Sequence, residues 1–238
     1  MATGKGNGAS IHEFAPDILL VDGPIVRDFG FPFPTRMAVI RLRNGSLWID
    51  SPVPVSTEIL TRIQALGPVL YLVAPTPRHV WRLREAQLRF PKAELWACRQ
   101  IPAKLRHLPV TGILGSTVPE AWAADLDQLV FRGNPLLEEV CFFHARSRTL
   151  IMDDLIQHHL KEAGKPLRNA LLTLVGSSGS QGEVPLDIRW SFWDRTQARH
   201  SLEQLLAWDF DRLVIAHGPC IECDAKAVIE HAFHWLQS

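Results

Sequence analysis

The segment Thr149-Leu150-Ile151-Met152-Asp153-Asp154 joins a short apolar run to two carboxylates at its carboxyl end. The run predicts a buried β-strand, because it is short, apolar and bounded by turn-forming residues. The same layout occurs twice more. Val69–Val73 precedes a polar group that ends in His79, and Arg212–Ala216 leads directly into His217. Three strands that each end in polar side chains indicate a fold that can gather those side chains in one place.

The ends of such strands are suitable positions for ligands and catalytic groups, because a rigid strand fixes a loop whose side chains point outward. If they converge, the imidazoles of His79 and His217 and the carboxylate of Asp154 form a facial triad. Such a triad holds one metal ion and leaves positions open for water and substrate. The sequence therefore predicts a metal site built from three distant residues.

Turn signals around these segments predict further elements. Asn44-Gly45 lies between two apolar runs and indicates a hairpin, since both residues tolerate positive φ. Ser56 or Thr57 is expected to cap a helix that ends near Gly67-Pro68. In the second half, helices are expected from about Thr196 to Trp208 and from about Asp224 to Leu236.

Both halves of the chain place strands before helices, which favours one compact layered domain. We expect this domain to span residues 11–238 and to follow a disordered, Gly-rich leader at residues 1–10.

The composition argues against several classes of protein. Lys and Arg (25) balance Asp and Glu (25) over 238 residues without a basic run, whereas a nucleic-acid binder needs a clustered positive face. No stretch approaches the roughly 20 apolar residues of a membrane span, and the polar start lacks the apolar core of a secretory signal. Four cysteines do not make a disulfide framework in a chain this long. We expect a cytoplasmic protein with a small-molecule partner, no nucleic acid and no membrane, and we leave a homo-oligomer open.

Taken in order, the three motifs resemble those of the metallo-β-lactamase superfamily. The middle motif of that family is a strand ending in Gly-Asp, whose aspartate bridges two metals; Thr149–Asp154 matches it, with Asp154 in the bridging place. The closing motif is an apolar strand into Gly-His-Gly, and Leu213–Gly218 matches it. The resemblance implies an αββα sandwich, in which two mixed β-sheets face each other and helices cover both outer faces.

The first motif of the superfamily, His-x-His-x-Asp-His, is degenerate in this chain. Its four ligand positions fall on Ala74, Thr76, Arg78 and His79, so only the last histidine matches. A further histidine of the family would fall near Asn134, where there is none. Other segments resemble an uncharacterised branch of the superfamily, a domain family of unknown function with a similarly reduced first motif: Phe33–Met37, Ser46–Ile49, Val73–Pro75, and His144 with Ser147–Leu150.

With so many ligand positions missing, the resemblance implies a site for at most one divalent ion. This ion would be zinc, iron or manganese, and its ligands would be His79, Asp154 and His217. Arg78 places a permanent cation where an anionic ligand would lie. Its charge repels a nearby divalent ion and weakens the binding of that ion by on the order of a few kcal/mol. The predicted function is a hydrolase acting on a small anionic molecule. The bound water attacks and Arg78 orients the substrate, so the catalytic residues are Asp154, His217 and Arg78. The alternative is a non-catalytic or metal-free protein that binds an anion through Arg78.

Two histidines follow Asp154 and offer another hypothesis. If a helix begins there, His158 shares a face with Asp154 and could replace a missing ligand; otherwise His158 and His159 form an exposed pair. His144 is expected to be a hydrogen-bonded structural histidine, and Asp153 a solvent-facing or capping residue.

Two further segments remain open to more than one interpretation. Cys220-x-x-Cys223 is compatible with a zinc or redox site, although no second Cys-x-x-Cys is present to complete a zinc site. Phe29–Pro34 is either a packing collar or a wall of the substrate cleft.

Overall fold

The computed structural model describes residues 10–28, 31–158 and 182–237. The first half of the chain contains nine strands: β1 (Ser10–Ala15), β2 (Ile18–Asp22), β3 (Val26–Asp28), β4 (Phe31–Phe33), β5 (Arg36–Arg41), β6 (Leu47–Asp50), β7 (Val69–Ala74), β8 (Glu94–Ala97) and β9 (Gly112–Ile113). Seven of them form a mixed sheet in the order β1-β2-β5-β6-β7-β8-β9, while β3 and β4 pair as a separate hairpin.

The second sheet has four strands in chain order: β10 (Leu126–Phe131), β11 (Glu139–His144), β12 (Thr149–Met152) and β13 (Arg212–Ile215). The first three are antiparallel, and β13 runs parallel to β12. The described helices are α1 (Thr57–Leu66), α2 (Leu83–Arg89), α3 (Leu186–Trp190), α4 (Arg195–Leu206) and α5 (Ala225–Ala232). Short 3-10 turns occur at Val80–Arg82, Ala103–Leu105, Ala145–Ser147 and His234–Leu236.

The core is divided into three layers of apolar contacts. Between the sheets, Trp48 and Val73 of the large sheet pack with Phe142 of the small sheet. On the outer face of the large sheet, α1 and α2 bury their apolar sides, for example Ile63, while α4 and α5 cover the outer face of the small sheet. Because neighbouring strand residues point to opposite faces, Leu72 faces the helices and Val73 the other sheet. This is the αββα sandwich predicted from the sequence.

Structural features with strong local sequence signals were predicted correctly. Gly45 adopts a positive φ of 83° in the hairpin between antiparallel β5 and β6. Helix α1 begins after Ser56, whose hydroxyl accepts a hydrogen bond from the Ile59 N–H at 3.3 Å. Strand β1 was not foreseen: Ser10, assigned to the leader, is its first residue, and residues 1–9 lie outside the described part of the chain.

Parallel pairing brings the carboxyl ends of several strands to one edge. In the large sheet β6 and β7 are parallel, so Ser51 and the segment after Ala74 emerge side by side. In the small sheet β12 and β13 are parallel, and Asp153 and His217 follow them. Among the described residues, no helix has the length and apolarity to cross a lipid bilayer.

Candidate metal centre

His79, Asp154 and His217 meet where the two sheets adjoin. One potential ligand atom of each lies within 4.8 Å of the others. His217 Nε2 is 3.3 Å from Asp154 Oδ1, and His79 Nε2 is 3.8 Å from Asp154 Oδ2. Asp154 and His217 are buried and His79 is half-buried. The structure thus brings together the three residues singled out in the sequence.

The far ring nitrogen of each imidazole is already engaged. His217 Nδ1 lies 2.8 Å from the carbonyl oxygen of Pro34, so Nδ1–H donates to that oxygen and Nε2 is the nitrogen that faces Asp154. His79 Nδ1 lies 2.8 Å from Asp153 Oδ2. Metal-bound histidines almost always donate their other N–H to a carboxylate or a backbone carbonyl. Two imidazoles held in this way around one carboxylate are a donor set that fits a single divalent ion.

The side chain of Asp153 therefore has a different environment from the one predicted. It is buried rather than solvent-facing, and its carboxylate binds His79 and accepts a hydrogen bond from the Ser51 hydroxyl. That hydroxyl also lies 2.5 Å from His79 Nδ1. Ser51 has a φ of 51°, in the left-handed region that non-glycine residues seldom adopt. Ser51 had no signal in the sequence, because only the fold brings it to His79.

The charges of the cluster depend on each other. Burial disfavours a charged imidazole, but Asp153 and Asp154 outweigh it and raise the pKa of His79 to about 10. Burial likewise opposes a charged carboxylate, yet His79 and the hydrogen bond from His217 hold the pKa of Asp154 below its usual range. Without an ion, Asp154 is thus a carboxylate beside a protonated His79, and a metal ion would have to displace that proton.

Glu139, a second residue that the sequence analysis missed, supports the loop carrying Asp154. It is completely buried at the start of β11. Its carboxylate accepts hydrogen bonds from the backbone N–H groups of Asp153 (2.6 Å), Asp154 (2.9 Å) and Leu155 (2.7 Å). Burial, together with the charges of Asp153 and Asp154, raises the pKa of Glu139 to about 8. The one signal in the sequence was an acidic residue opening an otherwise apolar strand.

The positions of the missing ligands are filled by groups that serve other purposes. Thr76 donates its hydroxyl proton to Asp154 Oδ2 at 2.5 Å, and Ala74 is buried within β7. Asn134 accepts hydrogen bonds from the N–H groups of Leu136 and Leu137. Over residues 10–28, 31–158 and 182–237, no second group of three metal-binding side chains occurs. The described residues therefore do not fit a second ion.

Arg78 stands at the edge of this cluster. Its Nη1 atom is 3.9 Å from Asp154 Oδ1, and its side chain is 44% exposed. Arg78 makes no hydrogen bond to another described residue. The guanidinium therefore neutralises part of the carboxylate charge while keeping its donors available to a ligand.

A cavity of about 400 Å³ opens in front of the cluster. Three arginines, Arg36, Arg78 and Arg82, line it together with an apolar wall that consists of Val26, Phe33, Pro52, Val53, Pro54 and Trp81. The ring of Phe33 meets that of His217 edge-on at 5.9 Å. Within the segment Phe29–Pro34, Phe33 is thus part of the cleft wall. The cavity therefore offers both guanidinium groups and apolar side chains near the same imidazole.

The alternative histidine ligand, His158, does not belong to the cluster. His158 is buried, its backbone N–H donates to the His217 carbonyl at 3.0 Å, and its Nδ1 lies 3.3 Å from the Pro219 carbonyl. It lies in no helix with Asp154 and is not exposed, so both expectations for His158 were wrong. His159 is outside the described residues. His144 is buried, and its Nδ1 is 2.7 Å from the Ser147 hydroxyl, as expected of a structural histidine.

His144 leads to a prediction for the pH dependence of stability. Burial lowers its pKa below the ordinary 6.5. As pH falls below 6.5 the unfolded chain takes up a proton that folded His144 resists, so folding is weakened until the folded pKa is passed. In urea unfolding, the stability of the parent chain relative to His144→Gln should therefore decrease from neutral to mildly acidic pH. A difference that does not change with pH would contradict this assignment.

The Cys-x-x-Cys segment lies beside the site without joining it. Both cysteines are free thiols; Cys220 is half-buried and Cys223 is exposed. Burial raises the pKa of Cys220, although Arg36, whose Nη1 is 3.1 Å from the sulfur, acts in the opposite direction. Neither cysteine belongs to the metal-binding group found among the described residues. The zinc and redox hypotheses gain no support from this arrangement.

Solved structures with low sequence identity share the fold. A fragment (1-254) of diflavin flavoprotein A 5 from Nostoc sp. PCC 7120 is 13% identical, with 98% of both chains covered and a TM-score of 0.66. The Flv1 flavodiiron core from Synechocystis sp. PCC6803 is 14% identical, with 97% of this chain and 61% of that chain covered and a TM-score of 0.64. A metallo-β-lactamase from Pontibacter korlensis is 13% identical, with 97% and 99% covered and a TM-score of 0.63. The likeness establishes a metallo-β-lactamase fold, and at these identities it extends no further.

Sequence comparison gives a second, independent result. No functionally curated protein matches the chain. A family model does match residues 29–168, which is more than half of the chain and includes strand β12 and Asp154 shortly after it. The chain therefore belongs to the family described as Domain of unknown function (DUF4336).

Proposed function

We propose that this protein is a hydrolase that uses one divalent ion and acts on a small anionic molecule. The observation that carries the proposal is the convergence of two imidazole Nε2 atoms, from His79 and His217, on the carboxylate of Asp154. Three ligands of this kind can hold zinc, iron or manganese and leave open positions for water and substrate.

The protein's own groups prepare the site. Asp153 and the Pro34 carbonyl fix the orientation of the two imidazoles, and Glu139 fixes the backbone that presents Asp154. A bound divalent ion would lower the pKa of a coordinated water towards about 7 and would polarise the bond to be cleaved. Phe33 and its apolar neighbours line the cavity beside this position.

Arg78 is the best-placed anchor for an anionic substrate. A guanidinium can bind a carboxylate or phosphate through paired hydrogen bonds. Of the three arginines in the cavity, Arg82 is paired with Glu85 at 3.1 Å, and Arg36 is bound to Asp22 and to backbone carbonyls. With respect to the described residues, Arg78 alone of the three has only the long contact with Asp154.

The role of Arg78 can be tested by Arg78→Met. Loss of a charge-assisted hydrogen bond costs about 1.5–3 kcal/mol, so kcat/KM for an anionic ester should fall about 10- to 100-fold. A suitable anionic probe is para-nitrophenyl hemisuccinate. The neutral comparison is para-nitrophenyl butyrate, for which kcat/KM should fall only slightly. Arg82→Met removes a paired arginine from the same cavity and serves as the control. An equal loss on both esters would contradict anion recognition by Arg78.

The metal requirement is tested on protein purified without chelator. We expect about one equivalent of zinc, iron or manganese, in line with a single three-ligand site, and hydrolysis of activated anionic esters or phosphoesters that stops on chelation. Protein that neither contains nor takes up metal and hydrolyses none of these compounds would refute the proposal.

A metal-free binding protein is the second candidate, and one observation favours it. His79 lies between Asp153 and Asp154, and Arg78 is a further cation beside Asp154. The charges of the site are thus balanced without an ion. On this interpretation para-nitrophenyl phosphate binds in the presence of EDTA, as calorimetry would show, and added zinc produces no binding heat. Binding that requires zinc would rule out this second candidate.

A further inference from the structure

Arg36 connects the large sheet with the turn that carries His217. It opens β5, and its side chain is only 13% exposed. Its Nη1 atom donates to the carbonyl oxygens of Ile215 at 2.9 Å and of Gly218 at 2.5 Å. The opposite edge of the guanidinium is held by Asp22, with Nε at 2.9 Å and Nη2 at 2.8 Å from Oδ1. One half-buried arginine therefore binds the backbone on both sides of His217.

The same short segment also determines which His217 nitrogen is available. Pro34, two residues before Arg36, accepts the hydrogen bond of His217 Nδ1. The turn has little room to move away: Gly218 has a φ of 122°, and a Cβ atom there would lie 1.9 Å from the His158 carbonyl oxygen. The segment from Pro34 to Arg36 thus holds the imidazole and the carbonyls that flank it.

We propose that Arg36 is a positioning residue for His217. It holds the turn that carries His217 close to Pro34, so that His217 Nδ1–H donates to the Pro34 carbonyl and Nε2 faces Asp154. Although it lines the cavity, its donors are already used within the protein. A lysine would not replace it, because the planar fork of arginine serves several acceptors at once whereas an ammonium is a point charge. This assigns a purpose to Phe33–Met37, a segment that the proposed hydrolase mechanism uses only through Phe33 and the Pro34 carbonyl.

The first test needs no metal. In the metal-free parent chain at mildly alkaline pH, nitrogen–proton NMR correlations of the imidazoles should show the Nδ1–H proton of His217, assigned by its absence from His217→Gln, as a signal that exchanges slowly with solvent. In Arg36→Met we expect this proton to exchange fast, because the turn no longer holds Nδ1 at the Pro34 carbonyl. Arg146→Met is the matched control, since it breaks another Arg–Asp pair of 2.8 Å, with Asp17, and should leave the His217 signals unchanged.

A His217 Nδ1–H proton that still exchanges slowly in folded Arg36→Met would overturn the proposal. If Arg36→Met does not fold, Arg36→Lys takes its place, because lysine keeps a charge for Asp22 but cannot reach both carbonyls. Retention of the parent signals in that variant would overturn the proposal equally.

The second test concerns the metal and rests on the proposed function. Zinc affinity, measured by competition with a chromophoric chelator, should fall about 10- to 100-fold in Arg36→Met, as for the loss of other residues that orient a ligand. Arg146→Met should bind zinc like the parent chain. If the parent chain binds no zinc, the proposed function fails, while the NMR comparison still decides the role of Arg36.

Discussion

The His217→Ala variant, purified without chelator, should contain no stoichiometric zinc, iron or manganese, whereas the parent chain should carry about one equivalent. His217 is one of the three candidate ligands, and its Nε2 lies 3.3 Å from Asp154 Oδ1. Losing a residue that merely orients a ligand costs about 10- to 100-fold in affinity, so losing the ligand itself should cost more. Metal content by mass spectrometry and zinc titration both measure the effect.

His231→Ala provides the control for this experiment. His231 also contacts a carboxylate, Glu183, at 3.1 Å, but it lies outside the group of metal-binding side chains. Its loss should leave the metal content unchanged. If His217→Ala retained one full equivalent of metal, the ion would be bound at a site that does not include His217.

The second large effect is expected at Glu139. Replacing it with alanine leaves the N–H groups of Asp153, Asp154 and Leu155 without their acceptor in a buried site. Each buried donor left without a partner costs about 1–3 kcal/mol, so Glu139→Ala should lose at least about 3 kcal/mol of the free energy of unfolding. For a domain stable by about 5–15 kcal/mol, this is a large fraction.

Urea unfolding followed by circular dichroism measures this loss. Glu139→Gln retains one acceptor oxygen and should lose less. Glu138→Ala, at the neighbouring half-buried position, is the matched control and should stay within about 1 kcal/mol, the ordinary effect of a point substitution. A similarly small loss in Glu139→Ala would mean that the loop carrying Asp154 is held by other contacts.

The sequence predicted those parts of the fold that have strong local signals. Strand β12 was predicted at its observed limits, because it is a short apolar run bounded by turn-forming residues. Strand β1 was not predicted, since it is an edge strand whose exposed residues, such as His12 and Glu13, lack the pattern of a buried face.

The candidate site could be predicted from the sequence only in part, and the reason is different. The convergence of His79, Asp154 and His217 follows from polar residues at the ends of parallel strands, which a pattern can reveal. The groups that orient them were not readable. The Pro34 carbonyl is a backbone atom with no sequence signature, and it lies 183 positions from His217. Asp153 resembled a capping residue because its partner, His79, is distant in the chain.

The candidate ligands come from both halves of the sandwich. His79 follows β7 of the large sheet, while Asp154 and His217 follow β12 and β13 of the small sheet. An ion bound by all three would therefore join the two sheets, and their separation would release it. By mass action, free metal at a hundred times its dissociation constant would add about 2.7 kcal/mol to the stability. The resistance of the whole sandwich to heat would then depend on the metal supply.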